Sequence, residues 1–303
     1  MENFSSIRTQ VQTYMGESGK SQKQIAREIA VSPAALSQFL DGIYTGDNAS
    51  IADKLQSWMT LEAKRNTKKE HSRMSLDVEN TKTVLFVCEY AHTKNDITLI
   101  FGDAGAGKTT ALEYYRDKNA GVIMITANAC TSSATSILKM LCNETGRNIS
   151  GRKDIIMNEL VKYFKGTNRL IIIDEADHLT LSALQAIRNL NDMAKVGIVL
   201  SGNNKIFLQM IGGAKSSEFQ QLRTRITLRR KLTNKYTKNE LKHIFPALPE
   251  DCLTFVALLS EKESLRTAKK IVELAYDYAE AKNTGITLKM LEGIKSDVLQ
   301  GLY

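Results

Sequence analysis

The segment GDAGAGKT, residues 102–109, constrains the fold more strongly than any other part of this chain. It fits the pattern G-x-x-x-x-G-K-[S/T] between a strand-like stretch, 96–101, and a helix-like stretch. Glycines let backbone N–H groups close around phosphate oxygens, and the N-terminus of the next helix adds a positive dipole. The segment, called the phosphate loop below, therefore predicts a nucleotide site at the end of a β-strand.

Two side chains of the phosphate loop have specific predicted roles. Lys108 is expected to reach the β- and γ-phosphates of ATP, and the Thr109 hydroxyl is expected to be a ligand of Mg²⁺. The full set of predicted cofactor-binding residues in this segment is Gly102, Asp103, Ala104, Gly105, Ala106, Gly107, Lys108, Thr109 and Thr110.

A second motif, RLIIIDEADHL at 169–179, supplies two adjacent carboxylates after an apolar strand. Ligands gather at the carboxyl ends of parallel strands, so Asp174 is predicted to hold Mg²⁺. Glu175 is predicted to orient or deprotonate the attacking water. Together with the phosphate loop, this pair predicts ATP hydrolysis. A helicase of the DEAD-H type is disfavoured, because no second domain of the required kind follows.

Strand-like and helix-like stretches alternate between residue 96 and about residue 230. The strand-like stretches are 96–101, 121–128, 169–174 and 196–202. This alternation predicts an α/β fold with a parallel sheet covered on both faces. From residue 235 to residue 303 the pattern is helical only, which predicts a smaller helical domain after the sheet.

The first 62 residues are helical in pattern and contain two short helices with clear boundaries. Ser21 is expected to cap the first helix, and Ser32 the second, with Pro33 at its first position and Gly42 at its end. The predicted buried positions are Ile25, Ala26 and Ile29 in the first helix and Leu36, Phe39 and Leu40 in the second.

This segment resembles the helix-turn-helix of phage repressors and Cro-like proteins. The resemblance rests on Gln22, Ala26, Leu36 and the closing FLDG, whereas Ala30 stands where a turn glycine is usual. A plain helical hairpin is the alternative. The exposed early positions of the second helix offer Ser32, Ala34, Ser37 and Gln38, with no Arg or Asn for bidentate base recognition. Any DNA contact is therefore expected to have weak sequence preference.

The net charge of +8 is concentrated in one part of the sequence. Residues 215–245 hold nine Lys or Arg against two Glu, a net of +7, and residues 64–73 hold five against one Glu. Charge concentrated in this way favours a polyanionic partner, although each run could also be a solvated helix face. Residues 63–80 are predicted to be a mobile basic linker, followed by a helix from Thr81 to about Ala91.

The amino-acid composition indicates which class of protein this is and in which cellular compartment it is expected. A chain with 43% hydrophobic and 24% charged residues is typical of a soluble globular protein. Its apolar runs fall well short of the roughly 20 residues that span a bilayer, and its N-terminus does not resemble a signal peptide. The four cysteines are scattered without a CxxC pair, which favours reduced thiols in the cytoplasm over structural zinc.

The chain resembles the AAA+ ATPases in four features taken together. These are the phosphate loop, the motif RLIIIDEADHL, a later strand ending in SGNN, and the segment QLRTRI before a helical region. The resemblance implies a P-loop core with a C-terminal helical lid. It also implies that a polar residue after the fourth strand senses the γ-phosphate. Asn203 matches best, with Ser201 and Asn204 as near alternatives.

The same resemblance implies two arginines that act on the nucleotide. Arg225, with Arg223 as the competitor, matches the arginine finger that reaches a neighbouring subunit's nucleotide. Arg266, in SLRTAKK, matches the lid arginine that contacts the nucleotide of its own subunit.

The domain order resembles that of the bacteriophage Mu B family of transposition proteins and the helper ATPases of related transposons. The expected domains are a helix-turn-helix domain (1–62), the basic linker (63–80), an AAA+ core (81–232) and a helical lid (233–303). The resemblance implies an ATP-dependent ATPase that forms filaments on double-stranded DNA with little sequence preference. It also implies that this filament delivers target DNA to a transposase, within the cytoplasm of a bacterial host cell.

Predicted DNA contacts fall in two basic clusters. Arg152 and Lys153 lie in the loop-like SGRKD after the second strand, and Arg229, Arg230 and Lys231 form the other cluster. Lys and Arg contact the DNA backbone without reading its sequence. The second cluster could instead contact an acidic surface of a transposase or remain solvated. Alternatives for the whole chain are a helicase loader and an ATP-switched transcription regulator.

Overall fold

The protein is described from a computed structural model that covers residues 4–71, 74–147, 149, 151–212 and 216–299. The chain divides into two compact units, Met1–His71 and Ser72–Tyr303. Each unit has its own hydrophobic core, and the two are considered separately.

The N-terminal unit consists of helices α1 (Ser5–Ser18), α2 (Gln22–Glu28), α3 (Pro33–Asp41) and α4 (Asn48–His71). As predicted, Ser21 and Ser32 cap α2 and α3, and Gly42 ends α3 in a left-handed conformation. Ala30, in the turn between these helices, also has a positive φ of 53°. That conformation favours glycine, which explains why a glycine is usual at this position.

The predicted boundaries of the basic linker were wrong. Helix α4 continues through His71, and helix α5 already begins at Glu79, so only part of 63–80 connects helices. The physical reason is that the charged stretch after Leu61 is rich in Lys and Glu and contains neither Gly nor Pro. Such residues favour a helix, and loss of apolar periodicity does not end one.

A buried carboxylate of α4 binds α1 and the connection between α1 and α2. Glu62 is 5% exposed and accepts hydrogen bonds from Tyr14 Oη (2.6 Å), Lys20 Nζ (3.0 Å) and Arg65 Nη1 (2.6 Å). The Tyr14 hydroxyl is the main reason that the pKa of Glu62 falls from 4.5 to about 2, with the two cations adding to the effect against the opposing effect of burial.

Because this pKa is lower in the folded protein, Glu62 stabilises the N-terminal unit above pH 4.5, and we expect that contribution to disappear as the pH falls towards 2. Glu62→Gln should lower the free energy of unfolding by about 1–3 kcal/mol at neutral pH and weaken its pH dependence in this window. Fluorescence of Trp58, the single tryptophan, during urea unfolding of the full chain measures both. An unchanged midpoint in the variant would contradict this role.

The C-terminal unit contains a five-stranded parallel sheet, which confirms the predicted α/β fold class. Its strand order is β2-β3-β4-β1-β5. The strands are β1 (Ile97–Gly102), β2 (Val122–Thr126), β3 (Leu170–Asp174), β4 (Gly197–Gly202) and β5 (Ile226–Leu232). The helices around them are α5 (Glu79–Lys94), α6 (Lys108–Lys118), α7 (Ala134–Glu144), α8 (Lys153–Phe164), α9 (Leu181–Ala194), α10 (Asn204–Gly212) and α11 (Ser216–Arg225).

The three central strands are buried along their whole length. Helices on both faces cover them, which explains why their sequences are continuous apolar runs. Helix α5 lies so close to β4 that a Cβ atom at Gly197 would be 2.2 Å from the carbonyl oxygen of Ala91. This packing fixes β1 and β3, whose carboxyl ends carry the predicted nucleotide-site residues.

Four helices after the sheet form a separate apolar cluster, called the lid below: α12 (Lys238–Ile244), α13 (Glu250–Lys262), α14 (Leu265–Ala281) and α15 (Leu288–Leu299). Val78, which precedes α5, is buried in the same cluster. The lid is therefore packed around the segment that leads into the sheet. Within the described ranges, no helix is both long and apolar enough to cross a membrane.

Candidate nucleotide site

The phosphate loop begins where β1 ends and finishes in the first turn of α6. Gly102, Gly105 and Gly107 have φ values of 148°, 80° and 84°. A Cβ atom at Gly102 would lie 2.1 Å from the carbonyl oxygen of Leu232, so a side chain cannot be accommodated there. The glycines thus provide the turn that places α6 behind the loop.

Lys108 lies across the phosphate loop rather than extending into solvent. Its Nζ donates to the carbonyl oxygens of Gly102 and Asp103, both at 2.9 Å, and the residue is 9% exposed. Burial lowers the pKa of this ammonium group, while Asp174 is the main opposing influence. A buried cation held by two backbone carbonyls is well placed to bind an anionic ligand.

Asp174 lies at the carboxyl end of β3 and is 1% exposed. Its Oδ2 accepts from Thr109 Oγ1 at 2.6 Å, and its Oδ1 accepts from Ser201 Oγ at 2.7 Å and from the Glu175 N–H at 3.0 Å. The structure therefore brings together the two predicted Mg²⁺ ligands. A hydroxyl and a carboxylate oxygen suit this ion, which keeps few protein ligands beside water and phosphate.

Glu175 follows directly with a left-handed backbone conformation, φ 52° and ψ 36°. This conformation is uncommon for a residue with a side chain, and such residues concentrate at functional sites. The side chain lines the same cavity as Lys108 and Thr109. It is thus available to a ligand, whereas Asp174 is engaged by its neighbours.

The three predicted alternatives for the sensing residue differ in their contacts. Ser201 donates to Asp174, and Asn204 Nδ2 donates to Asp103 Oδ1 at 2.7 Å. Asn203 lines the cavity together with Glu175. The geometry favours Asn203, although its role remains a prediction.

Asp177 is a site residue that the sequence reasoning missed. It is 5% exposed, and its carboxylate accepts from both the backbone N–H (3.0 Å) and Nδ2 (2.7 Å) of Asn203. It therefore connects the segment after β3 with the end of β4. Its position in DEAD was the available signal, but sequence alone does not show which strand end it contacts.

Lys108, Thr109, Glu175 and Asn203 line a cavity of about 390 Å³, a size that accommodates a nucleotide. Residues 104–111 form one wall of the cavity. A second, mostly apolar wall is formed by Val78, Tyr236 and Ile244, together with the side-chain amide of Asn80. Arg266 and Lys269, both from α14, complete the lining. The predicted lid arginine therefore lies at the cavity, and Lys269 is a second cation there that the sequence analysis did not identify.

Gly102, Asp103 and the remaining predicted residues lie outside this lining. Arg225 ends α11, and its Nη2 is 3.3 Å from Asp192 Oδ1, while Arg223 is half-buried. Arg229, Arg230 and Lys231 are exposed in β5 at one edge of the sheet.

The interpretation of SGRKD as loop-like was wrong for Lys153 and Asp154, which are helical, while Ser150 lies outside the described residues. Helix α7 lies between β2 and this segment, Arg152 is the N-cap of α8, and Lys153 is its first residue. Short polar segments before a helix are hard to tell from longer loops, because a capping residue is itself not helical. Arg152 remains 84% exposed, so its availability to a ligand is unaffected.

Comparisons with known proteins agree with this architecture. Residues 91–210 match the family described as "AAA domain". The fold is similar to the crystal structure of Cdc6p from Pyrobaculum aerophilum, with a TM-score of 0.52 and 15% identity over 72% of this chain and 67% of that one. The protein is an AAA+ ATPase, as the sequence predicts.

Relatives in phages identify the family. The chain is 33% identical over 246 residues to the ATP-dependent target DNA activator B of Escherichia phage Mu, covering 81% of this chain and 78% of that protein. It is 31% identical to the Mu-like prophage FluMu DNA transposition protein B of Haemophilus influenzae, over 70% of this chain and 75% of the relative. The chain belongs to the Mu B family of target DNA activators, which confirms the predicted resemblance.

Proposed function

We propose that this protein is an ATP-dependent DNA-binding ATPase that assembles on target DNA with little sequence preference and delivers that DNA to a transposase, which it activates. The observation that carries the proposal is the set of ATPase residues around one cavity in a chain 33% identical to a phage target DNA activator. Transposase and DNA in turn stimulate ATP hydrolysis, which ends the DNA-bound state.

In the nucleotide site, the phosphate loop binds the phosphates of ATP, with Lys108 beside them. Thr109 and Asp174, whose oxygens are 2.6 Å apart, hold Mg²⁺. At this position Mg²⁺ would supply positive charge that offsets the negative charge of the phosphates. Glu175 orients the attacking water and accepts its proton, and Asn203, held by Asp177, lies at the γ-phosphate.

A second subunit completes the site. Arg225 lies outside the cavity of its own chain and is 57% exposed, so it is available to a neighbouring copy. Its partner Asp192 is half-buried, but the guanidinium side of the pair is open to solvent, and ion pairs at the surface contribute little free energy. Arg225 can therefore leave Asp192 and bind a phosphate of the neighbouring subunit's nucleotide at a small cost in free energy. Such a contact would make hydrolysis depend on assembly.

DNA binding rests on exposed cations rather than on base recognition. Arg152 has only an exposed partner, Asp154, at 3.3 Å, and Arg229, Arg230 and Lys231 are exposed along β5. The exposed positions of α3 include Ala34 and Gln38 but no Arg. Contacts of this composition favour phosphates over bases, and binding should weaken steeply with salt.

Anisotropy of labelled duplexes of several unrelated sequences, with and without ATP and across a salt series, tests this function. We expect ATP to strengthen binding to all duplexes, with affinities that differ by less than about tenfold. Arg152→Ala/Lys153→Ala should reduce the slope of log affinity against log salt by up to about 2.

The double variant Lys262→Ala/Lys270→Ala is the matched control, since it removes the same charge from exposed lid positions. It should leave the slope within about 0.5 of the wild-type value. Protection of one short sequence in a footprint would contradict the proposal and would favour an ATP-switched transcription regulator. Binding that does not respond to ATP would also contradict it.

A further inference from the structure

Two asparagine side chains hydrogen-bond to backbone carbonyls of the phosphate loop. Asn80, in the first turn of α5, directs Nδ2 at the carbonyl oxygen of Ala106 (3.2 Å). Asn234 donates from Nδ2 to the carbonyl oxygen of Ala104 (3.0 Å) and is 6% exposed. These two carbonyls flank Gly105, so both contacts act on the part of the loop that is richest in conformational freedom.

The same asparagines also bind the connection between the sheet and the lid. Asn80 Nδ2 lies 2.8 Å from the carbonyl oxygen of Thr233 and 3.1 Å from the Tyr236 hydroxyl. Asn234 belongs to that connection, and its Oδ1 accepts from the N–H of Leu265, the first residue of α14, at 3.5 Å. Each amide thus touches the phosphate loop on one side and the base of the lid on the other.

Close packing reinforces this arrangement at Gly105. A Cβ atom there would lie 3.0 Å from Ser264 Cβ and 3.1 Å from Arg266 Cβ, at the start of α14. On the other side, Glu240 of α12 accepts from the N–H of Glu79 at 2.9 Å and thereby joins the first turn of α5 to the lid. A shift of the loop therefore cannot occur without a shift at these lid contacts.

We propose that Asn80 and Asn234 are positioning residues of the ATPase site. They fix the carbonyls of Ala104 and Ala106 and thereby the orientation of the peptide groups around Gly105, whose N–H groups are then held for the nucleotide phosphates. Through their second contacts they make the position of the lid depend on the bound nucleotide. The inference rests on the ATPase site alone and not on the proposed role at DNA.

The chemistry requires an amide at both places. Ala106 is 1% exposed, so its carbonyl oxygen has little access to water that could replace the Asn80 donor, whereas Ala104 is exposed and depends on Asn234 for its orientation. If the asparagine is truncated, the flexible peptide groups around Gly105 can rotate to recover a partner. That rotation turns N–H groups away from the phosphates and weakens nucleotide binding.

A third asparagine provides a matched control in the same unit. Asn191 is 8% exposed, and its Nδ2 donates to the carbonyl oxygens of Asn95 and Val196, both at 2.8 Å. It is outside the cavity lining. Asn191→Ala removes the same kind of buried contacts as Asn80→Ala and Asn234→Ala, and all three changes are neutral in charge.

The experiment measures binding of a fluorescent ATP derivative, steady-state ATPase kinetics and hydrogen exchange, all without DNA. For Asn80→Ala and Asn234→Ala we expect Kd and KM for ATP to rise about tenfold, with kcat within about threefold of wild type. Residues 233–245, which adenylyl imidodiphosphate should protect from exchange in the wild type, should lose that protection. Asn191→Ala should lower thermal stability while leaving Kd, KM and the protection unchanged.

Nucleotide Kd within twofold of wild type for Asn80→Ala and Asn234→Ala would overturn the inference, as would an equal loss of affinity in Asn191→Ala. If an alanine variant does not fold, Tyr236→Phe and Asn234→Ser replace it, since each removes only part of the contacts. These milder variants should raise Kd about two- to fivefold, and unchanged Kd in both would likewise overturn the inference. None of these outcomes depends on whether the protein acts in transposition.

Discussion

Replacing Lys108 with alanine is expected to raise the Kd for ATP at least about 100-fold and thereby to abolish ATP-dependent DNA binding. The ammonium group is buried and held over the phosphate loop by the carbonyls of Gly102 and Asp103. No other cation in the described part of the loop, residues 102–109, can replace it. Titration with a fluorescent ATP derivative measures the affinity, and duplex binding with ATP measures the consequence.

Lys118→Ala is the matched control, because Lys118 lies in the same helix but is exposed in its last turn. It should bind ATP as the wild type does. ATP-dependent DNA binding that persists in Lys108→Ala would contradict the assignment of the phosphate loop.

Glu175→Gln is expected to bind ATP and DNA normally while its hydrolysis rate falls at least about 100-fold. The amide keeps the shape of the side chain in its left-handed turn but cannot accept a proton from water. Complexes with DNA should therefore persist in ATP, where those of the wild type dissociate. Phosphate release and the lifetime of duplex complexes measure the two effects.

Glu113→Gln, an exposed position on α6, serves as the control and should turn over ATP normally. Normal turnover in Glu175→Gln would exclude Glu175 as the carboxylate that activates water. Asp177 is not an equivalent substitute, because its oxygens already accept two hydrogen bonds from Asn203.

The sequence predicted four of the five strands, the phosphate loop and the carboxylates after β3 because each depends on local patterns, whereas β5 carries exposed basic residues and is not an apolar run. An apolar run followed by Asp174 defines a strand end without knowledge of its neighbours. The same holds for the caps of α2 and α3 at Ser21 and Ser32, where a side chain binds a backbone group three residues away.

Residues that act between distant segments were not predictable in this way. Asp177 contacts Asn203 across two strand ends, and Asn80 contacts Thr233, 153 positions along the chain. An asparagine in a helix has no local pattern that identifies such partners. The end of α4 was missed for a different reason, since loss of apolar periodicity at 63–71 reflects exposure and not the absence of a helix.

Electron microscopy of the full chain with long duplex DNA and adenylyl imidodiphosphate tests the proposed function most directly. The proposal predicts continuous protein filaments on duplexes of unrelated sequence, formed with the nucleotide analogue and absent without it. We expect Arg225→Ala to form fewer filaments. Arg225 pairs with Asp192 within one chain, and in the filament it would instead contact a phosphate of the neighbouring subunit's nucleotide. Isolated particles at one short sequence, or DNA coverage that is the same without nucleotide, would contradict the proposed function.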